Sequence, residues 1–316
     1  MLGERRSAIL EMIIDYYIRT GEPMGSKTLC QMLPYSISSA TIRNEMAFLT
    51  SVGFLEQRHT SGGRVPTKAA YRYYIDNIIN GGTLSPYEKQ KIDEVLSTNA
   101  SDPERLLANA SKLLSELTGC AAFYSTVKDP LDCVQGIELI PTGNSKAMLV
   151  MMSVGGKIKS SICKINCPVD NEFKQIFYSI TNEFFIGVPL CSLCAEASEG
   201  SLVISGETRL LSQSELGDSV YNLLLLLAQK DKLAAMLESF AKTTAKAQLL
   251  IGDENPMYEL RNTTMAIAKL QYNDMQTATI GIIGSTRIDY KRILPIVDYI
   301  INAVSQLLLE GGARYE

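Results

Sequence analysis

A single histidine, His59, stands in the 316 residues, and tryptophan is absent. Ser-His-Asp or Cys-His catalysis and imidazole-based zinc sites need histidines placed in a pocket, so composition argues against them and against most hydrolases. Long apolar runs are missing too. Leu223 to Ala228 is among the longest, far short of the ~18 residues of a membrane helix. The N-terminal Met1-Leu2-Gly3-Glu4-Arg5-Arg6 leads straight into an amphipathic pattern, without an apolar signal core or a small-residue cleavage site. That pattern predicts a cytoplasmic protein with no membrane partner. No Gly-rich phosphate loop or cofactor fingerprint occurs, and no cofactor is expected.

A disulfide framework is lacking as well. The seven cysteines (Cys30, Cys120, Cys133, Cys163, Cys167, Cys191, Cys194) are odd in number and scattered, which reads as reduced, mostly buried thiols. Cys191-Ser-Leu-Cys194 is a C-x-x-C pair, and Cys163 with Cys167 a C-x3-C pair. A four-cysteine zinc site can be drawn from them, but neither pair carries a Gly-rich knuckle, and no metal ligand is assigned.

What is present is a chain long enough for two or three domains, 46% hydrophobic and 20% charged, the balance of a folded protein. Its net charge of −4 hides an asymmetry: residues 1–80 hold nine Lys/Arg against seven Asp/Glu, and the rest holds 21 against 27. A mildly basic N-terminal piece on an acidic body fits a DNA reader joined to a control domain. Helical spacing of Ile9, Met12, Ile13, Tyr16 and Tyr17 predicts a helix over 4–19, followed by short helices at 26–33 and from Ser38 to about Ser51. Phe54 to Arg58, a Gly-rich turn at 59–63 and Arg64-Val-Pro66 read as a two-stranded ribbon, and Thr67 to about Ile79 as a closing helix. That order is a winged helix-turn-helix. Beyond a linker at Gly81-Gly82-Thr83, helices are expected from Ser85 to Thr98 and from Asp102 to Leu117. Strands are then expected at 121–127, 134–140, 147–153 and 158–165, and helices at 171–185 and 215–240. A short strand at 201–205, strands near 247–251, 263–271 and 276–283, and an amphipathic C-terminal helix complete an α+β body.

The third helix carries the chemistry. At about 100° per residue, Ile42, Met46, Leu49, Val52 and Phe48 share a broad buried face, while Ala40, Arg43, Asn44 and Ala47 lie opposite, with Ser39 and Thr41 beside them. Small residues let a helix sink into a major groove, and Arg and Asn make bidentate contacts to guanine and adenine edges. An ordinary solvated face is the plainer alternative, and Glu45, at the edge of the buried side, is expected to pair locally. Arg58, His59 and Arg64 flank the ribbon tip as candidate phosphate or minor-groove contacts; a solvated hairpin is the alternative. The DNA-binding candidates are therefore Ser39, Ala40, Thr41, Arg43, Asn44, Ala47, Arg58, His59 and Arg64. No cluster in the body has the spacing of a catalytic acid, base or nucleophile, and no catalytic residue is assigned.

Three segments then converge: Ser38-Ser-Ala-Thr-Ile-Arg43-Asn44-Glu-Met46; Gly53-Phe-Leu-Glu-Gln-Arg-His59-Thr-Ser-Gly-Gly-Arg64-Val-Pro66; and Tyr71-Arg-Tyr-Tyr-Ile-Asp76. With Ile251-Gly-Asp-Glu-Asn255 and Gly281-Ile-Ile-Gly284-Ser-Thr-Arg287-Ile-Asp289-Tyr290, the chain resembles the heat-inducible transcription repressor family, HrcA. Gly62 stands where that family usually has alanine, Ala70 where it often has glycine, and Ser285 where proline is usual. Residues 130–200 carry little that matches. The resemblance implies an α+β multidomain fold: a winged-helix domain at 1–80, a discontinuous GAF-like domain at 100–130 and 200–316, and an inserted dimerising domain at 131–199. It further implies a homodimer on the inverted-repeat operator of chaperonin and DnaK-type operons, double-stranded DNA as ligand, and the GroEL chaperonin as the partner that keeps the repressor active. Two other classes stay open: a metabolic regulator whose GAF-like domain takes a small effector, and an enzyme with an accessory DNA-binding module. The Gly284-Ser-Thr-Arg287 turn is expected to cap the last helix, with Arg287 and Asp289 tying it, in preference to binding an anion.

Overall fold

The computed structural model describes residues 2–33, 37–57, 63–79, 82–98, 102–126, 132–143, 146–156, 158–165, 167–193, 202–271 and 277–312. Apolar spacing in the first segment makes α1 (Glu4–Thr20), which buries Ile9, Leu10, Ile13, Ile14 and Tyr17 and stops at Gly21. Gly21 takes a left-handed backbone (φ 73°), and its N–H donates to Tyr17 O at 2.9 Å, a conformation that suits glycine. Next comes α2 (Ser26–Met32); Ser26 is its first helical residue and Gly25 precedes it without a side-chain cap. Ser38 caps α3 (Ser39–Ser51), its Oγ accepting the Thr41 N–H at 3.1 Å, a bond worth about 1 kcal/mol. Strands β1 (Leu55–Glu56) and β2 (Val65–Pro66) pair antiparallel, and a bridge between Met24 and Arg64 joins the ribbon to the α1–α2 connection. A Cβ on Gly63 would overlap Met24 O, so the approach of these backbones requires glycine. Thr67 then caps α4 (Lys68–Asn77), with Ala70 N on its Oγ1 at 3.2 Å. Three helices, a small ribbon and a closing helix around Ile9, Ile13, Leu29, Ile42, Leu49 and Tyr74 make a winged helix-turn-helix.

The chain forms two compact units, one of Met1–Ser125, Leu202–Gln271 and Ala278–Glu316, the other of Thr126–Ser201 and Tyr272–Thr277. The first continues through α5 (Pro86–Ser97), opened by a Ser85–Glu88 capping box, and α6 (Pro103–Thr118), capped by Asp102 and ended by left-handed Gly119. Then follows β3 (Ala121–Thr126). The second unit is an antiparallel meander of β4 (Val134–Gly143), β5 (Lys146–Ser153) and β6 (Ile158–Lys164), with α7 (Asn171–Phe184) and the short α8 (Leu190–Leu193). Buried Asp132 ties its start, accepting from Ser153 Oγ at 3.0 Å and Gly155 N at 2.8 Å.

The first unit closes with β7 (Leu202–Ser205), α9 (Ser219–Ala228), α10 (Lys230–Ala241), β8 (Ala247–Ile251), β9 (Thr263–Gln271), β10 (Thr277–Ser285) and α11 (Tyr290–Gly312). Its five-stranded sheet has the order β7-β3-β10-β9-β8. Side chains alternate across it: Phe123, Met265, Ile267 and Ile283 meet Leu223, Leu227, Leu233, Leu237 and Phe240 of α9 and α10. From the alternate positions, Thr264 Oγ1 reaches Tyr290 OH of α11 at 2.7 Å, and α11 packs on α6. The single helix expected over 215–240 is two, broken at Gln229. Folding back brings the leucines of both halves onto one side of the sheet, which a straight helix of that length would not allow. By length and composition, Tyr290–Leu309 is a helix that could cross a membrane; here Tyr290, Ile293, Val297, Ile300, Val304 and Leu308 form one buried stripe, and Leu309 is exposed.

Candidate nucleic-acid interface

Burial along α3 follows the 100° pattern. Ile42, Glu45, Met46 and Leu49 are buried, and Ala40, Arg43, Asn44 and Ala47 are exposed on the other side. Ser39 and Thr41 are half-buried at the first turn, where Thr41 Oγ1 lies 2.8 Å from Ser38 Oγ. Two positions expected on the buried face differ. Val52 is the C-cap residue, where the helix has ended, and is 44% exposed. Phe48 is half-buried, covered by the Arg6 guanidinium 3.6 Å from its ring centre.

Glu45 is buried and paired, but with partners on α1 and not with neighbours in sequence. Arg6 Nε lies 2.7 Å from one carboxylate oxygen and Arg5 Nη2 2.6 Å from the other. The Arg6 bond holds its carboxyl below the usual range, with Arg5 adding to it and burial opposing. Both arginines are on α1, so this ion triplet ties α3 to α1 on the side away from Arg43 and Asn44. Sequence spacing identified Glu45 but not these partners, nearly forty positions away.

Arg58 and His59 lie outside the described residues. Arg64 is half-buried at the base of the ribbon; its backbone exchanges 2.9 Å bonds with Met24, and its Nε donates to Thr50 Oγ1 on α3 at 3.2 Å. The structure thus brings Arg64 to the C-terminal end of α3 and keeps Arg43 and Asn44 on the open face. Of the cysteines, Cys163 and Cys167 are free thiols, and among the described residues no group of three or more metal-ligating side chains occurs. Cys194 lies outside the described residues.

Arg287 ties its own turn through its backbone, whose N–H donates to Ser285 Oγ at 3.3 Å, but its guanidinium goes elsewhere. It reaches α1, donating Nη1 to Tyr17 O at 3.3 Å and to Ile18 O at 3.1 Å, while Nη2 donates to Ser214 Oγ at 3.1 Å and Nε pairs with Glu215 at 2.9 Å. Asp289 does cap α11, its Oδ1 accepting Arg292 N at 3.3 Å. Beside Arg287 is a cavity of about 400 Å³, lined among others by Arg19, Gln213, Glu215, Ser285 and Arg292.

A family model described as "Winged helix-turn-helix transcription repressor, HrcA DNA-binding" matches residues 1–77, and one described as "HrcA protein C terminal domain" matches 104–197 and 190–294. The heat-inducible transcription repressor HrcA of Shouchella clausii is 28% identical, over 94% of this chain and 96% of its own. Its namesake from Acetivibrio thermocellus is 29% identical over 94% of each chain. That of Clostridium botulinum strain Alaska E43 is 29% identical over 97% of this chain and 98% of its own. A crystal structure of a hypothetical protein matches in fold with a TM-score of 0.74 at 21% identity, covering 98% of this chain and 100% of that one.

Proposed function

The chain belongs to the HrcA family of heat-inducible transcription repressors, and we propose that it represses chaperonin and DnaK-type operons as a cytoplasmic homodimer on an inverted-repeat operator. The observation that carries this reading is the exposed face of α3, where Ala40, Arg43, Asn44 and Ala47 stand clear on the third helix of a winged-helix domain. Arg43 and Asn44 read base edges in the major groove; Ser39 and Thr41 flank them; Arg58, His59 and Arg64 supply backbone contacts from the wing.

An inverted repeat calls for two readers related by a two-fold axis. Supporting a dimer, α7 leaves Ile176, Ile180 and Phe184, spaced four apart, 47–61% exposed. Residues 131–199 are the dimerising insert in this reading, and the GAF-like part is 100–130 with 200–316. Exposed Ile158 and Ile162 on the edge strand β6 are the apolar surface a chaperonin would hold in a partly folded chain. GroEL keeps the repressor active by raising its folded fraction, and unfolded clients divert it during heat stress. No catalytic step is assigned. The test is a footprint on DNA upstream of the chaperone operons, with and without purified chaperonin. Protection of an inverted repeat, increased by chaperonin, supports the reading; no protection there sinks it.

The cavity beside Arg287 favours a second reading, in which a small anionic effector entering between α1 and the body controls DNA affinity. A metabolite pool that shifts operator binding without chaperonin would move this alternative ahead.

A further inference from the structure

The cavity beside Arg287 carries more positive charge than its internal contacts use. It opens where the C-terminal end of α1 meets the start of α11 and the turn at Ser214–Leu216. Arg19, Arg287 and Arg292 line it, against Glu215 and Asp289. Both carboxylates are engaged: Glu215 pairs with Arg287 and lies 3.4 Å from Tyr17 OH, and Asp289 accepts the Arg292 N–H. The helix-end carbonyls beside it are engaged as well, Tyr17 O and Ile18 O by Arg287, and Gly119 O by Gln213 Nε2 at 3.0 Å. Two cations remain. Arg19 uses only Nε, on Asp15 O of its own helix at 3.2 Å. The Arg292 guanidinium makes no hydrogen bond or ion pair among the described residues, although Glu88 feels its charge.

The buried donors nearby are under-satisfied. Arg287 Nε faces Glu215 without the alignment of a hydrogen bond, so the attraction there is one of charge alone. The Tyr71 hydroxyl, on a side chain 3% exposed, is also buried without a hydrogen-bond partner, and it feels both Glu215 and Arg287. Unpaired buried donors are costly, and one tethered carboxylate leaves these two unmet. A phosphate group brings three acceptor oxygens and up to two charges, and guanidinium forks match its geometry. At about 400 Å³ the cavity is at the small end of ligand sites, and buried Ile288 and Ile293 give it an apolar side.

We infer that this cavity binds the phosphate group of a small phosphorylated metabolite, held by Arg19 and Arg292, with Glu215 as the tethered carboxylate that it displaces from Arg287. The inference deepens the small-effector reading above by naming the ligand's chemistry and the residues that take it, and it rests on that reading for the effect on DNA.

The test is equilibrium dialysis of the full chain against labelled inorganic phosphate, at constant ionic strength and slightly alkaline pH, where phosphate is a dianion. One saturable site per chain is expected at or below about 10 mM. Arg19→Gln with Arg292→Gln, both exposed side chains, should weaken it about tenfold or more with the far-ultraviolet dichroism unchanged. Glu215→Gln keeps the shape but removes the competing charge, and should tighten phosphate about threefold or more. Acetate, with one charge, should displace phosphate only at about tenfold higher concentration or more. Phosphate that fails to saturate, undiminished binding in the double variant, or weaker binding in Glu215→Gln would each overturn the inference, as would acetate that competes on equal terms. A saturable site whose filling leaves operator affinity unchanged supports the inference and fails the small-effector reading, a separate outcome.

Discussion

Arg43 projects from the open side of α3 with no carboxylate paired to it among the described residues. Its replacement by alanine is expected to cost about 1–3 kcal/mol of operator affinity and to relax preference at one base pair per half-site. Random DNA should lose much less, and equal losses on both would reduce Arg43 to a backbone contact. Glu45 behaves differently because its work is internal. Its folded pKa is depressed first by Arg6, so the stabilisation is present above the ordinary carboxylate value and fades as pH falls through the lower, folded one. Glu45→Gln is expected to destabilise the protein by about 1–3 kcal/mol at pH 7, as charge-assisted bonds are lost. In urea melts the gap between the two proteins should close in acid; a gap independent of pH would leave the triplet without energetic weight. The outward face of α3 was legible because helical periodicity is local. The grip of Arg287 on α1 was not, since about 270 residues separate donor and acceptor and no spacing rule reaches that far.

At the scale of elements, the wing and α7 make opposite demands. Arg64 sits where the ribbon meets α3, and if it also neutralises a phosphate, Arg64→Ala should lower the salt slope of DNA binding by about one. An unchanged slope would make its bond to Thr50 purely a brace. In the proposed dimer the stripe on α7 pairs the two copies, so Ile180→Asp with Phe184→Asp should yield monomers in sedimentation, with the helix content of the chain preserved. Dimers that survive this change would move the interface elsewhere. The sequence marked helix and strand periods well, including the 171–185 helix, yet it did not reveal that Ile176, Ile180 and Phe184 are uncovered. Amphipathic spacing tells which residues share a face, and only the packed fold tells whether anything covers it. The break at Gln229 was hidden for a related reason, since an unbroken apolar run reads as one helix until two layers must be filled.

For the whole molecule, the proposed function makes repression depend on how much of the chain is folded and paired. Exposed apolar residues on α7 and β6 favour loss of soluble dimer from a partly folded pool. A shift of a few kcal/mol in that equilibrium takes operator occupancy from mostly bound to mostly free. Aged repressor should therefore bind less operator, and chaperonin with nucleotide should restore it; full binding without chaperonin, unchanged on its addition, would favour the small-effector reading. The most direct test of the account is a titration of the full chain on the intact inverted repeat upstream of the chaperone operons, against the same DNA with one half-site scrambled. Two linked α3 readers predict a loss of about hundredfold or more on scrambling; equal affinity for the two DNAs would contradict the account.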